Sequence, residues 1–150
     1  SIRDYLSEII SSFKEISKKK FIFNFDQDSN PKKITKSIEI VYGLRNFIGN
    51  ANKFSNDNIF INLKSDNEIT EITIEDDGNG YPRDVLSKIG EPYLRSNNPK
   101  VKSKAGLGLG LFIGKTLLEK NFASIICRNS KTRSGAEVII KWNNKDLFNV

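Results

Sequence analysis

An α+β sandwich, with helices on one face of a mixed sheet, is the fold class this sequence predicts. Three observations lead to it. Two short stretches that read as strands, Ile59 to Leu63 and Ile69 to Glu75, flank an Asp66-Asn67 pair suited to a hairpin turn. Stretches with helical spacing stand before and after them. The elements follow the order helix, strand, helix, strand, strand, loop, helix, strand, strand, without regular βαβ alternation.

Residues 2 to about 18 predict an amphipathic helix, since Ile2, Tyr5, Leu6, Ile9, Ile10, Phe13 and Ile16 follow helical spacing. Lys18 to Lys20 then fall in its last turn, where the helix dipole favours cations. The run FIFNF at 21–25 predicts a short strand, and Asp26 to Pro31 a turn. Thr35 or Ser37 starts a central helix that runs to Phe54. After the hairpin, Asp76-Asp77-Gly78-Asn79-Gly80-Tyr81-Pro82 is a loop of residues that tolerate positive φ, and Arg83 to Ile89 suggests a short helix. Gly90 to Ala105 has little periodicity, which suits a lid or binding loop. Gly106 to Gly110 lead into a helix reaching about Leu118. Ser124 to Arg128 and Ala136 to Trp142 close the domain as two strands around a turn at Asn129 to Gly135.

Composition bounds what this chain can do. At 150 residues with ten phenylalanines, it is long enough for one domain with a core, and 1–150 is read as that domain. The net charge of +6 admits a phosphate ligand, a membrane surface or nucleic acid. The lysine clusters lack aromatic interleaving, so no nucleic-acid partner is expected. No stretch approaches the ~20 apolar residues of a membrane span, and no membrane contact is expected of this chain. The lone Cys127 excludes an internal disulfide and sits in an apolar run, so a strand residue is expected rather than a reactive thiol. There is no histidine, hence no histidine metal site and no phosphohistidine here. There is no methionine either, which suggests a piece of a longer protein.

Three motifs carry chemistry. In the central helix, Ile40, Leu44, Phe47, Ala51 and Phe54 form an apolar stripe, and Asn46, Asn50 and Lys53 share a neighbouring face. Carboxamide oxygens can ligate Mg²⁺, and Lys53 can neutralise phosphate oxygen, although such a face is also what solvent ordinarily covers. The Asp76 to Gly80 loop lets backbone approach a flat ligand, and its first aspartate can accept a hydrogen bond from an exocyclic amine; a plain turn would look the same. Gly106-Leu107-Gly108-Leu109-Gly110 opens a helix, whose exposed N–H groups suit phosphate, or else forms a hinge. It is neither a Walker nor a convincing dinucleotide pattern. Gly114, inside the same helix, costs ~1 kcal/mol against alanine unless close packing requires it.

Together, in this order and with a lid between the second and third, the motifs resemble the nucleotide-binding domain shared by sensor histidine kinases, gyrase, the large heat-shock chaperone ATPases and the MutL mismatch-repair proteins. This is the GHKL superfamily with its Bergerat fold. The asparagine box is Asn46 to Lys53, the first glycine box Asp76 to Gly80 and the second Gly106 to Gly110. The GAEV beginning at Gly135 is similar to the final glycine-containing hairpin. Histidine kinases fit best, because gyrase and the chaperones place a glutamate base where this chain has Asn46, which cannot take a proton from water. NANKFS is similar to the kinase pattern, and GEPY at 90–93 with GLGLGLFIGKTLLEK at 106–120 resembles the redox-responsive RegB/PrrB branch. Lys53 departs from that branch, which often has an acidic residue there.

The resemblance implies a two-layer sandwich with about three helices on one face of the sheet. It implies Mg-ATP as cofactor. Asp76 takes the adenine amino group, with Gly78 and Gly80 shaping the pocket. Asn50 ligates Mg²⁺, assisted by Asn46, and Lys53 contacts phosphate. Phe54 covers the adenine, though a core aromatic would continue the apolar stripe equally well. Tyr93 packs the lid base, Arg95 reaches the γ-phosphate, and Gly106 to Gly110 hinge the lid; Lys100, Lys102 and Lys104 are read as solvated lid charges. The implied activity is transfer of the γ-phosphoryl group to a histidine on separate dimerisation helices, with a response regulator downstream. The whole kinase would be a cytoplasmic or membrane-anchored homodimer, and this piece alone a monomer. A serine kinase of anti-sigma type and a nucleotide-binding interaction module without transfer are the alternatives.

Overall fold

Ser37 opens the helix on which the functional residues lie. Its backbone is extended (φ −119°, ψ 116°), and its hydroxyl accepts the N–H of Ile40 at 3.3 Å. It thereby caps α2, Ile38–Phe54. Ile40, Leu44, Phe47, Ile48 and Ala51 are buried along this helix, and Phe54 is half-buried against the same core. The apolar stripe therefore faces inward as its spacing requires. The structure, a computed structural model, describes residues 1–25, 37–87 and 107–147. The turn at Asp26 to Pro31, the alternative helix start at Thr35 and the Gly90 to Ala105 lid lie outside the described residues.

The first helix, α1, spans Ile2–Lys14 and starts with a capping box in which Ser1 and Asp4 satisfy each other's backbone N–H. It buries Ile2, Leu6, Ile9 and Ile10. It ends at Lys14 rather than near residue 18. The N–H groups of Ile16 and Ser17 both turn back to the Phe13 carbonyl, at 3.1 and 2.9 Å, and Ile16 is left 81% exposed. Lys18 to Lys20 consequently lie beyond its last turn.

The sheet consists of β1 (Lys20–Phe25), β2 (Asn58–Ser65), β3 (Ile69–Asp76), β4 (Ser124–Asn129) and β5 (Ala136–Asn143), in the order β1-β2-β3-β5-β4. Among the described residues only the β1–β2 pair is parallel; the other pairs are antiparallel. At the β2–β3 turn the Asp66 carboxylate accepts the N–H groups of Glu68 and Ile69, both at 2.7 Å. Those bonds hold its pKa below the ordinary value. Ile59, Ile61, Leu63, Ile72, Ile74, Val138, Ile140 and Trp142 are buried and alternate along their strands, so they line one face of the sheet. The opposite face carries cross-strand ion pairs: Lys141–Glu71 at 3.7 Å and Arg128–Glu137. Cys127 is half-buried in β4, and burial pushes its thiol up to about 12, the state of an unreactive strand residue.

Helix α3 is a single turn, Arg83–Leu86, and α4 spans Leu107–Lys120. Glu39 at the start of α2 pairs with Lys120 at the end of α4 at 2.9 Å, so the two helices run antiparallel. Their glycines allow a close approach. A methyl group on Gly114 would lie 2.8 Å from the Phe47 ring, and one on Gly43 would lie 2.7 Å from Leu118. Close packing is thus the reason for a glycine inside α4. The one-turn α5, Asn144–Leu147, is absent from the sequence reading. Its buried Asn144 ties it to the β2–β3 turn, donating to the Asp66 carbonyl at 2.7 Å and accepting from Thr70 at 2.6 Å. Among the described residues no helix is long and apolar enough to cross a membrane.

Candidate functional site

The last residue of β3 is Asp76, and strand alternation turns it to the buried side after Ile72 and Ile74. Only 4% of it is exposed. Its Oδ1 accepts the N–H of Gly78 at 2.8 Å and that of Ala136 at 3.3 Å. Burial raises its pKa from the ordinary value, against the opposing pull of these two N–H groups; the neighbouring Asp77 charge adds to the rise and Lys19 subtracts from it. This carboxylate sits where glycines are obligatory. A methyl group on Gly135 would lie 2.1 Å from both the carbonyl oxygen and Oδ1 of Asp76. One on Gly78 would lie 2.1 Å from the carbonyl oxygen of Phe54. The Asp76 loop therefore touches the backbone at the end of α2. Gly80 has φ +76°, the left-handed conformation that side chains resist. The Asn129 side chain then brackets Tyr81, accepting its N–H at 2.6 Å and donating to its carbonyl at 3.0 Å.

On α2 the two asparagines differ. Asn50 lies against the first turn of α4, where a methyl group on Gly110 would come within 3.0 Å of its Oδ1. Its Nδ2 is buried and has no hydrogen-bond partner among the described residues. A buried polar atom left unsatisfied is unusual enough to ask for a ligand. Asn46, one turn earlier, donates to its own helix at the Tyr42 carbonyl, 2.8 Å away. Lys53 is exposed, with its ammonium 5.6 Å from the centroid of the Phe54 ring. The structure thus sets the Asp76–Gly78 loop against the end of α2 at Phe54, and Gly110 of α4 against Asn50, one turn earlier on the same helix. Leu107, Gly108 and Leu109 belong to the first turn of α4. Tyr93, Arg95, Gly106 and the lid lysines lie outside the described residues.

Two charged residues at this junction have tasks that the sequence does not announce. Spacing places Asp77 in a loop and Lys19 in the last turn of α1, whereas the structure gives both to the exit of α2. Asp77 accepts the backbone N–H groups of Asn56, Asp57 and Asn58 at 2.8 to 3.0 Å. Partial burial opposes its ionisation, but the N–H groups of Asn58, Asp57 and Asn56 outweigh it and hold the pKa below the ordinary range. Lys19 donates to the carbonyls of Asn52 and, at 2.7 Å, Ser55. No local pattern in the sequence announces either contact, because each joins segments at least nineteen residues apart.

Residues 35–146 match the family described as histidine kinase-, DNA gyrase B-, and HSP90-like ATPases. The chain belongs to that family. The ATPase domain is 35% identical over 130 residues to the sensor histidine kinase RegB of Cereibacter sphaeroides, a match covering 77% of this chain and 28% of that protein. The chain thus spans under a third of the length of this relative. The fold is similar to that of the mycobacterial sensor histidine kinase MprB, with a TM-score of 0.74 at 20% identity, covering 95% of this chain and 93% of that one. It is also similar to full-length ShkA solved in complex with AMPPNP, with a TM-score of 0.73 at 20% identity, covering 95% of this chain and 30% of that one. The expected fold, a mixed sheet layered with helices, is the one observed.

Proposed function

We propose that this ATPase domain binds Mg-ATP between α2, the β3 loop and the start of α4, and passes the γ-phosphoryl group to a histidine supplied from outside the chain. The observation that carries this reading is the buried Nδ2 of Asn50, which faces Gly110 and has no partner among the described residues. It leaves an N–H donor for a phosphate oxygen at the seam where the asparagine helix meets the glycine-rich turn. The donor set fits a hard cation, since a carboxamide oxygen is a magnesium ligand. Asn50 would hold the ion, with Asn46 turning from the Tyr42 carbonyl to assist. When bound, Mg²⁺ supplies charge neutralisation across the phosphate oxygens.

The remaining work falls to the chain's own residues. Both described hydrogen bonds to Asp76 fall on Oδ1, so Oδ2 is the atom assigned to the adenine amine. Gly78 and Gly80 leave room for the base, and Phe54 lies beside it. Lys53 turns from its aromatic neighbour to the phosphates, and Gly106 to Gly110 present backbone N–H groups to them. Tyr93 and Arg95 keep the lid roles that the resemblance implies. Positioning and charge neutralisation are most of what phosphoryl transfer requires, and a neutral imidazole acceptor needs no strong base.

RegB is a sensor histidine kinase by name, and the reading extends to this chain as the ATP-binding part of such a kinase. Its partners would be dimerisation helices bearing the acceptor histidine, and a response regulator. This single domain, 1–150, would be monomeric alone and part of a homodimer in the whole kinase. The test is incubation with γ-labelled ATP, Mg²⁺ and a dimerisation fragment carrying the acceptor histidine. Acid-labile label on that fragment and none on this chain, which has no histidine, is the expected result. Acid-stable label, as on serine, would contradict it.

A further inference from the structure

The exit of α2 is gripped from both sides by charges to which the family resemblance gives no task. A helix that ends leaves carbonyl groups over, and the turn into the next strand leaves N–H groups over. Here a cation takes the first and an anion the second. Lys19, just before β1, donates from Nζ to the carbonyls of Asn52 and Ser55. Asp77, just after β3, gathers the N–H groups of Asn56, Asp57 and Asn58 and also the Asn58 side-chain amide at 3.1 Å. Consecutive N–H groups converging on one carboxylate form an anion nest. The Asn56 side chain returns a bond to the Asp77 carbonyl at 2.9 Å, and the Lys20 N–H meets the Asp57 carbonyl at 2.8 Å. Ser134, from the β4–β5 turn, also donates to the Asp77 carbonyl, at 3.1 Å.

We propose that Lys19 and Asp77 are positioning residues that fix the span between the Asp76 seat and the Asn50–Lys53 face. The proposal rests on the nucleotide-site reading above. In that reading Asp76 takes one end of the ligand and α2 the other, so slack between them keeps a ligand held by its phosphates on α2 from also meeting Asp76. Asp76 and Asp77 are bonded neighbours, and the nest fixes Asp77 to the residues that directly follow Phe54. Asp77 therefore ties the Asp76 loop to the exit of α2, and Lys19 holds that exit from the other side. Loss of this clamp would be felt most by a ligand that must reach Asp76 and α2 together. A guanine nucleotide presents an acceptor where adenine presents its amine. It gains little from Asp76 and has little to lose.

The experiment compares Mg-ATP and Mg-GTP affinities of the wild type, Asp77→Asn, Lys19→Met and Lys19→Arg, well below the unfolding temperature and with folding checked by circular dichroism. The wild type is expected to prefer ATP by about tenfold or more. Asp77→Asn places an amide against N–H donors, and Lys19→Met removes the ammonium. Both are expected to lose most of the preference through weaker ATP binding while GTP binding stays unchanged, and Lys19→Arg is expected to retain it. Folded variants with the preference intact would overturn the proposal, as would an equal loss for both nucleotides, the mark of a merely structural role. If Asp77→Asn does not fold, Lys19→Met and Lys19→Arg decide the matter alone. A wild type that binds neither nucleotide would defeat the nucleotide reading and the clamp with it; one that binds both alike would leave the nucleotide site standing and defeat the adenine role of Asp76 and the clamp.

Discussion

Asp76 ends β3 with its side chain buried and two backbone N–H groups on one oxygen. Asp77, one residue later, is half-buried and collects four N–H donors from the turn after α2. Burial raises the pKa of the first, and hydrogen bonding lowers that of the second despite partial burial. The residue type is the same, and strand alternation alone sends the two side chains to different surroundings. A carboxylate that is under-solvated and under-bonded keeps capacity for a ligand, whereas one saturated with donors belongs to the scaffold. On the proposed function, these neighbouring carboxylates divide the work, Asp76 meeting the ligand and Asp77 holding the scaffold.

The hardest blow to the Asp76 side is Gly135→Ala. The new methyl group would stand 2.1 Å from backbone and side-chain oxygens of Asp76. A loss of about 3 kcal/mol in urea unfolding is expected, since a rigid strand end absorbs such overlap poorly. On the other side, Asp77→Ala strands three backbone N–H groups and should cost about 2 kcal/mol in the same assay. Asp76→Asn should leave stability unchanged or higher at neutral pH, because it removes a buried charge. Equal destabilisation by Asp77→Ala and Asp76→Asn would erase the distinction.

Acid separates the two aspartates further. With its folded pKa raised above 3.8, Asp76 ionised opposes folding, and that cost is relieved as pH falls through the raised value. With its folded pKa below 3.8, Asp77 stabilises the fold above 3.8, and that contribution is lost as pH falls through the lowered value. Urea unfolding followed as pH falls from neutrality through the raised value should therefore show wild type gaining on Asp76→Asn. A control lies on α2, away from both aspartates. Gly49→Ala places a methyl group 3.4 Å from Phe13, ordinary contact, and should raise stability by ~0.5–1 kcal/mol without touching either aspartate.

Much of this was legible from the sequence because it is local. Ser37 as a cap, the Asp66 turn and the buried stripe of α2 follow from spacing and side-chain chemistry within a few residues. Asp76, Asn50 and the glycines could be singled out as a set only by their order along the chain. The failures involve distance. Ile16 continued the periodicity of α1, yet the chain turns at Phe13, so Lys19 serves the far end of α2 instead of its own helix. Asn144 and α5 are held by Thr70 and Asp66, partners more than seventy residues away. Asp77 read as part of a turn because its donors lie beyond the hairpin, at 56–58.

The most direct test of the central claim is a calorimetric titration of a non-hydrolysable ATP analogue with Mg²⁺ into this chain and into Asp76→Asn. Saturable one-to-one binding by the chain, abolished by a substitution that leaves the fold intact, is the expected result. No binding by the intact chain at millimolar ligand, or equal binding by the folded variant, would contradict the assignment of Asp76 as the residue that reads the base.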